Sequence, residues 1–101
     1  MKPANMGPVY VGLYPALAEI ARAHGYALAI HGTIARDFDL IAIPWVESPS
    51  HPDEVINAMT TEYALRTAGE PDTVFHGRRR YTLIISFGEC FCDIQFVPGG
   101  W

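Results

Sequence analysis

Two aspartates stand two residues apart at the start of an apolar stretch. Asp37 and Asp39 flank Phe38 and precede the apolar run 40–43. If this stretch is a strand, its side chains alternate between the two faces, so both carboxylates lie on one face. Two neighbouring carboxylates repel each other, and a Mg²⁺ ion relieves that repulsion, best when phosphate oxygens complete its coordination. The same spacing is compatible with two aspartates that only cap a solvated strand end.

A third carboxylate, Asp93, lies inside the apolar segment 91–97. A charge in such a strand is costly unless it has a partner or an ion. If this segment pairs beside the strand that begins at Asp37, three carboxylates meet, which is the arrangement of two-metal phosphoryl and nucleotidyl transfer. The alternatives are an edge position that faces water and an ion pair with one of the arginines 78–80.

Groups suited to phosphate precede the first two carboxylates. Gly32 and Thr33 come just after an apolar run. A glycine there lets backbone N–H groups approach an anion, and a hydroxyl adds one hydrogen bond. Arg36 can contact a phosphate or pair with Asp37.

Further cationic and imidazole groups are candidates for the same site. Arg78 opens the basic run 78–80, which either forms a solvated strand entrance or steers phosphates toward the carboxylates of an acidic protein. His31 and His76 are candidate metal ligands or general bases, or else structural hydrogen-bonding groups at strand ends.

The stretch from His31 to Leu40 resembles the signature of the nucleotidyltransferase fold of the DNA polymerase beta type. The resemblance implies that the Gly-Thr pair seats a triphosphate and that Mg²⁺ or Mn²⁺ is bound by three carboxylates that also carry the catalysis: Asp37, Asp39 and Asp93. Taken with the groups described above, the expected nucleotide-binding residues are Gly32, Thr33, Arg36, His76 and Arg78. The expected function is metal-dependent nucleotide binding or nucleotidyl transfer.

Two other functions remain open. Only three residues separate Thr33 from Asp37, where the family usually has a longer segment, and the chain also resembles small phage-encoded proteins with a similar His-Gly to Asp-Leu stretch. Both features are compatible with a non-catalytic module that captures a nucleotide or a host protein. If the chain instead carries out nucleotidyl transfer, the acceptor would have to come from a partner or from a second copy in a homodimer. The remaining alternative is a small dimerising domain whose carboxylates only confer solubility.

Hydrophobic periodicity and turn residues predict the elements that position these groups. A flexible leader over residues 1–12 precedes a single domain over 13–101, an α/β (α+β) two-layer sandwich with a mixed sheet of about four strands and two helices on one face. Helices are expected at Leu13–His24 and from Pro52 to near Ala68, and strands at Tyr26–Ile30, Asp37–Ile43, Tyr81–Phe87 and Cys90–Val97, with a hairpin turn at Gly88–Glu89.

Composition excludes several classes of protein. A chain of 101 residues is too short for a two-domain enzyme, and a net charge of −4 opposes general nucleic-acid coating. No run of about 18 apolar residues predicts a membrane span, so a cytoplasmic location is expected. Cys90 and Cys92 are expected to be buried free thiols, since neighbouring positions on one strand face do not favour a mutual disulfide.

Overall fold

The computed structural model describes residues 7–32, 37–63, 65–85, 90–99 and 101, with the backbone alone described at positions 7, 37 and 75. Two α-helices, six strands and one short 3₁₀ turn occur within these residues. The elements are α1 (Gly7–Ala23), β1 (Tyr26–His31), β2 (Asp37–Pro44), α2 (Pro52–Glu62), β3 (Leu65–Thr67), β4 (Asp72–Thr73), the 3₁₀ turn Phe75–Gly77, β5 (Arg79–Ile85) and β6 (Cys90–Phe96). This arrangement confirms the predicted α+β class.

The strands form one mixed sheet in the order β1-β2-β6-β5-β3, and β4 also pairs with β5. The pairing of β2 with β6 is parallel, whereas the other pairings are antiparallel. The two strands that carry the aspartates are therefore direct neighbours in the interior of the sheet.

One face of the sheet forms the core with both helices. Alternate residues of β2, β5 and β6 are buried there, together with apolar residues of α1 and α2. The core strand residues include Phe38, Leu40, Ala42, Tyr81, Leu83, Cys92, Ile94 and Phe96. The other face, which we call the open face, carries the intervening residues of these strands: Asp39, Ile41, Asp93, Gln95, Arg80 and Thr82. Within the described residues, the helix contacts therefore lie on the core face and leave the carboxylates on the open face.

Helix α1 begins at Gly7, six residues before the predicted start at Leu13, so the prediction of a flexible leader is wrong for residues 7–12. The ring of Tyr10 is fully buried and stacks on Phe38 with centroids 4.9 Å apart. Pro15 consequently lies inside the helix. Burial of an aromatic ring outweighed the cost of an interior proline, which a local pattern cannot reveal.

Helix α2 starts where predicted but ends earlier. Its N-cap is His51, whose Nδ1 accepts the Asp53 N–H at 3.0 Å. The helix ends at Glu62, not near Ala68, because Leu65 pairs with β5 as part of β3 and is buried there. The pairing of Leu65 with β5 therefore ends helix α2 earlier than the apolar periodicity of the sequence predicts.

The predicted turn at Gly88–Glu89 and the predicted strand end at 86–87 lie outside the described residues. No helix among the described residues combines the length and the apolar character needed to span a membrane.

Candidate functional site

The strand register brings four polar side chains into one row across the sheet. Asp39 of β2 is the register partner of Asp93 in β6 and of His31 in β1, and Asp93 in turn is the partner of Thr82 in β5. Neighbouring strands lie about 4.8 Å apart, so residues in register on one face are in reach of each other. The structure thus places Asp93 beside Asp39, which was the condition on which the carboxylates were expected to meet.

Asp37 begins β2, and its backbone pairs with Phe91. Its side chain lies outside the described residues, as do Thr33 and Arg36. The convergence of all three aspartates therefore stays a prediction.

Asp93 is held in place by a neighbour on β5. The Thr82 hydroxyl donates a hydrogen bond of 2.6 Å to Asp93 Oδ1. A carboxylate offers about four lone-pair sites, so this bond orients Asp93 and leaves capacity for a cation or another donor. No role was predicted for Thr82 from the sequence. Its place on β5, opposite an acidic residue of β6 on the same face, is the signal that could have identified it.

The thiol of Cys92 lies on the core face of β6, where its surroundings disfavour nucleophilic or metal-binding chemistry. Burial raises the pKa of Cys92, and the negative charges of Asp93 and Asp39 raise it further. Its thiolate form is therefore disfavoured, and a thiolate is what nucleophilic attack and metal binding require. Cys90 and Cys92 are both buried and free, as predicted.

Gly32 lies next to the Asp39 carboxylate. A Cβ added at Gly32 would stand 3.8 Å from Asp39 Oδ2, and the glycine has a φ of +73°. Its backbone therefore passes close to the carboxylate in a conformation that favours glycine. The residue expected to admit phosphate and a residue expected to bind metal are adjacent.

A pocket of about 640 Å³ adjoins the carboxylate row. Its described lining comprises His31, Thr73, Val74, Arg78, Arg80 and Gln95. It is connected to the carboxylates through His31, the register partner of Asp39, and through Gln95, which follows Asp93 by two residues on the same face. The pocket therefore places Arg80 near Asp93, whereas neither Asp39 nor Asp93 lines it.

Arg80 is oriented by a bidentate ion pair. Its Nε and Nη2 donate to the two Asp72 carboxylate oxygens at 3.1 and 2.7 Å. The pKa of Asp72 is lowered by this hydrogen bonding, and the pKa of Arg80 is raised mainly by Asp72, with a contribution from the charge of Asp93. A guanidinium has five N–H donors, so Arg80 keeps donors for a second anion.

His76 is exposed in the 3₁₀ turn that leads to Arg78. It has a φ of 63°, a left-handed conformation that is uncommon for a residue with a Cβ, and Gly77 follows with a φ of +72°. Arg78, which follows this turn, lines the pocket, whereas His76 does not.

A second polar cluster lies on the core side and was missed by the sequence analysis. The Tyr81 hydroxyl donates to Asp53 Oδ1 and accepts from Arg79 Nε at 2.7 Å. Arg79 Nη2 also lies 3.4 Å from Asp53 Oδ1. The Tyr81 hydrogen bond is the main cause that lowers the pKa of Asp53. Because this cluster joins the first turn of α2 to β5, its role is structural.

The described side chains offer oxygen donors at the carboxylate row but no complete metal-binding cluster. Among them, no three histidine, cysteine or carboxylate groups converge closely enough to hold a metal ion. Asp39 and Asp93 do supply oxygen donors of the kind that Mg²⁺ prefers, and Mg²⁺ commonly binds through one or two carboxylates while phosphates and water complete its coordination. The donor set therefore fits a cation that arrives with a phosphate ligand.

Comparison of the chain with known proteins found no matching family model, no matching curated protein and no matching solved structure.

Proposed function

We propose that the open face binds a nucleoside triphosphate together with a divalent cation, Mg²⁺ or Mn²⁺. The observation that carries this proposal is the register pairing of Asp39 with Asp93 beside a pocket that contains Arg78 and Arg80. Carboxylates bind hard cations, and guanidinium groups bind phosphate oxygens. A metal-phosphate ligand is the chemical class that needs both kinds of group side by side.

The cation would be held by Asp39 and Asp93, and when bound it would neutralise phosphate charge. Thr82 orients Asp93 by its hydrogen bond, which reduces the freedom that the carboxylate would lose on binding. The nearby backbone of Gly32 leaves room at Asp39, because no side chain stands on that glycine.

The phosphate groups would lie against Arg78 and Arg80. Arg80 is already oriented by Asp72, so a phosphate would share it rather than order it anew. The pocket volume of about 640 Å³ falls within the range of small-molecule sites, which is roughly 300–1,000 Å³.

The proposal has two forms that differ in turnover. Capture needs only the described pair, Asp39 and Asp93, whereas nucleotidyl transfer by two metals also needs the third carboxylate expected at Asp37. Release of pyrophosphate that depends on both metal and Asp37 would identify transfer. Stoichiometric binding with recovery of unchanged nucleotide would identify capture.

The binding itself is tested by calorimetric and thermal-shift titration with the common nucleoside triphosphates, with and without Mg²⁺ or Mn²⁺. Binding to the native state raises its melting temperature. We expect Asp39→Asn to weaken metal-dependent binding at least about tenfold, equivalent to about 1.4 kcal/mol. Glu62→Gln is the matched control, because it removes an exposed carboxylate at the end of α2.

Two results would contradict the proposal. One is the absence of binding by the wild type with either metal. The other is an equal affinity of the wild type and Asp39→Asn for the same nucleotide in the presence of metal.

A further inference from the structure

Strand β1 ends the sheet, and its outer backbone groups can be identified. The Gly25 carbonyl accepts the Trp45 N–H at 3.0 Å, and β1 pairs with β2 in an antiparallel register. Because hydrogen-bonded positions alternate along such a ladder, Tyr26, Leu28 and Ile30 direct their N–H and C=O groups away from β2. The Tyr14 hydroxyl, which donates to the Leu28 carbonyl at 2.5 Å, independently indicates this direction.

Between Tyr26 and Ile30, the described edge carries no residue that prevents pairing with another strand, although Tyr14 of α1 contacts the Leu28 carbonyl. Natural edge strands commonly carry lysine, proline or a bulge. Residues 26–30 are Tyr-Ala-Leu-Ala-Ile, with no charge and no proline, and the register with β2 is unbroken.

A pocket of about 350 Å³ runs beside the edge. It lies between α1 and β1, and its described lining is Tyr14, Ala18, Arg22, Tyr26, Ala27, Leu28 and Trp45. Near it, Ile30 and Trp45 are 46% and 59% exposed although both are large and apolar. The edge thus combines outward-directed backbone groups, a largely apolar pocket and exposed apolar side chains.

We propose that two copies of this chain associate through their β1 strands, antiparallel and about a two-fold axis at Leu28. In this register, Ile30 lies opposite the partner subunit's Tyr26, which lines the pocket. Each exposed Ile30 therefore comes beside the apolar pocket of the other copy, as an isologous interface requires.

Charge at the edge does not oppose a second copy as the occupant. The chain carries a net charge of −4, so two copies repel each other least where they meet through an uncharged surface. Residues 26–30 are uncharged, and the small side chains of Ala27 and Ala29 come opposite each other in the proposed register. The Leu28 carbonyl has a second lone pair, so the bond from Tyr14 does not prevent a second hydrogen bond.

The test uses Ile30→Pro and a matched control on the opposite edge. The Ile30 N–H points away from β2, so proline at this position leaves the β1–β2 ladder intact and removes a donor from the proposed interface. Thr67→Pro is the control. Ala68 N–H bonds to the Thr82 carbonyl, so by the same alternation the Thr67 N–H points outward from β3.

Sedimentation equilibrium over a range of concentrations measures the dimer dissociation constant of each variant, and circular dichroism verifies that each is folded. We expect a wild-type dimer, an increase of at least about tenfold in its dissociation constant with Ile30→Pro, and no comparable change with Thr67→Pro. Hydrogen exchange should show concentration-dependent protection of the Tyr26, Leu28 and Ile30 amides, but not of the Thr67 amide.

Three outcomes would overturn the proposal. They are a wild-type chain that stays monomeric at several hundred micromolar, a dimer that Ile30→Pro leaves unchanged, and a dimer that forms without added protection of the outward amides of β1.

Discussion

Asp93 and Tyr81 show how individual polar groups are accommodated in this small protein. Asp93 belongs to an apolar strand, but the alternation of side chains puts it on the open face, where Thr82 donates to it. Tyr81 faces the core, where its buried ring keeps its hydroxyl hydrogen-bonded to Asp53. Thr82 satisfies one oxygen of Asp93, and Asp53 and Arg79 together satisfy the Tyr81 hydroxyl, which avoids the cost of an unpaired polar atom.

The stability of the protein is expected to fall at alkaline pH because of its tyrosines. Burial is the main cause that raises the pKa values of Tyr81 and Tyr26 to about 12, whereas an unfolded tyrosine titrates near 10. The folded state therefore holds these protons more tightly, so the free energy of unfolding decreases as pH rises from about 10 to about 12. Urea unfolding at a series of pH values measures this slope.

The variant Tyr81→Phe removes one of these titrations, so its slope should be smaller than that of the wild type. The double variant with Tyr26→Phe should be flatter still. An unchanged slope in the double variant would show that other groups cause the alkaline destabilisation.

At the scale of elements, the turn from α1 into β1 depends on Gly25. This residue has a φ of +91°, and its N–H bonds to the Arg22 carbonyl at 3.1 Å. A Cβ at this position would stand 2.6 Å from Val46 Cγ2 and 3.1 Å from Pro49 Cα. The turn thus requires glycine both for its backbone conformation and for the close approach of the loop after β2.

Gly25→Ala is expected to lower the free energy of unfolding by about 2–4 kcal/mol, because backbone strain and overpacking add. Gly69→Ala is the control. Its φ is +73°, but nothing lies within 4 Å of the added Cβ, so it should cost only about 1–2 kcal/mol. Urea unfolding of both variants makes the comparison, and equal losses would contradict the steric contribution at Gly25.

At the scale of the whole molecule, the sheet separates a buried layer from the open face. Leu40 is 1% exposed in the core, whereas its neighbour Ile41 lies on the open face. Both helices pack on the same face of the sheet. The core therefore depends on the side chains that the strands present on that face. The open face is then available for the proposed ligand.

This division predicts different costs for adjacent substitutions on β2. Leu40→Ala should lower the free energy of unfolding by about 2–5 kcal/mol, since it leaves a cavity in the core. Ile41→Ala should cost less than about 1.5 kcal/mol, because its site is partly solvated. Chemical denaturation measures both values, and similar losses would show that the open face is packed as tightly as the core.

Local signals in the sequence predicted the positions of most elements. The starts of the strands at Tyr26, Asp37 and Cys90 agree with the structure, as does the start of α2 at Pro52. Glycine and proline signals mark these points because they act on the backbone within a few residues. Strands β3 and β4 were missed, since segments of three and two residues carry no periodicity.

Sequence alone therefore determined the α+β class, the face of each long strand and the two carboxylates of the candidate site, because side-chain alternation and turn chemistry are local. Only the tertiary structure decided that α1 reaches back to Gly7, that Leu65 leaves the helix, and that the pocket with Arg78 and Arg80 adjoins the carboxylates. It also decided that Asp39 stands beside Asp93. These outcomes depend on contacts between residues far apart in the chain, whose free energies are set by burial and strand pairing rather than by local preference.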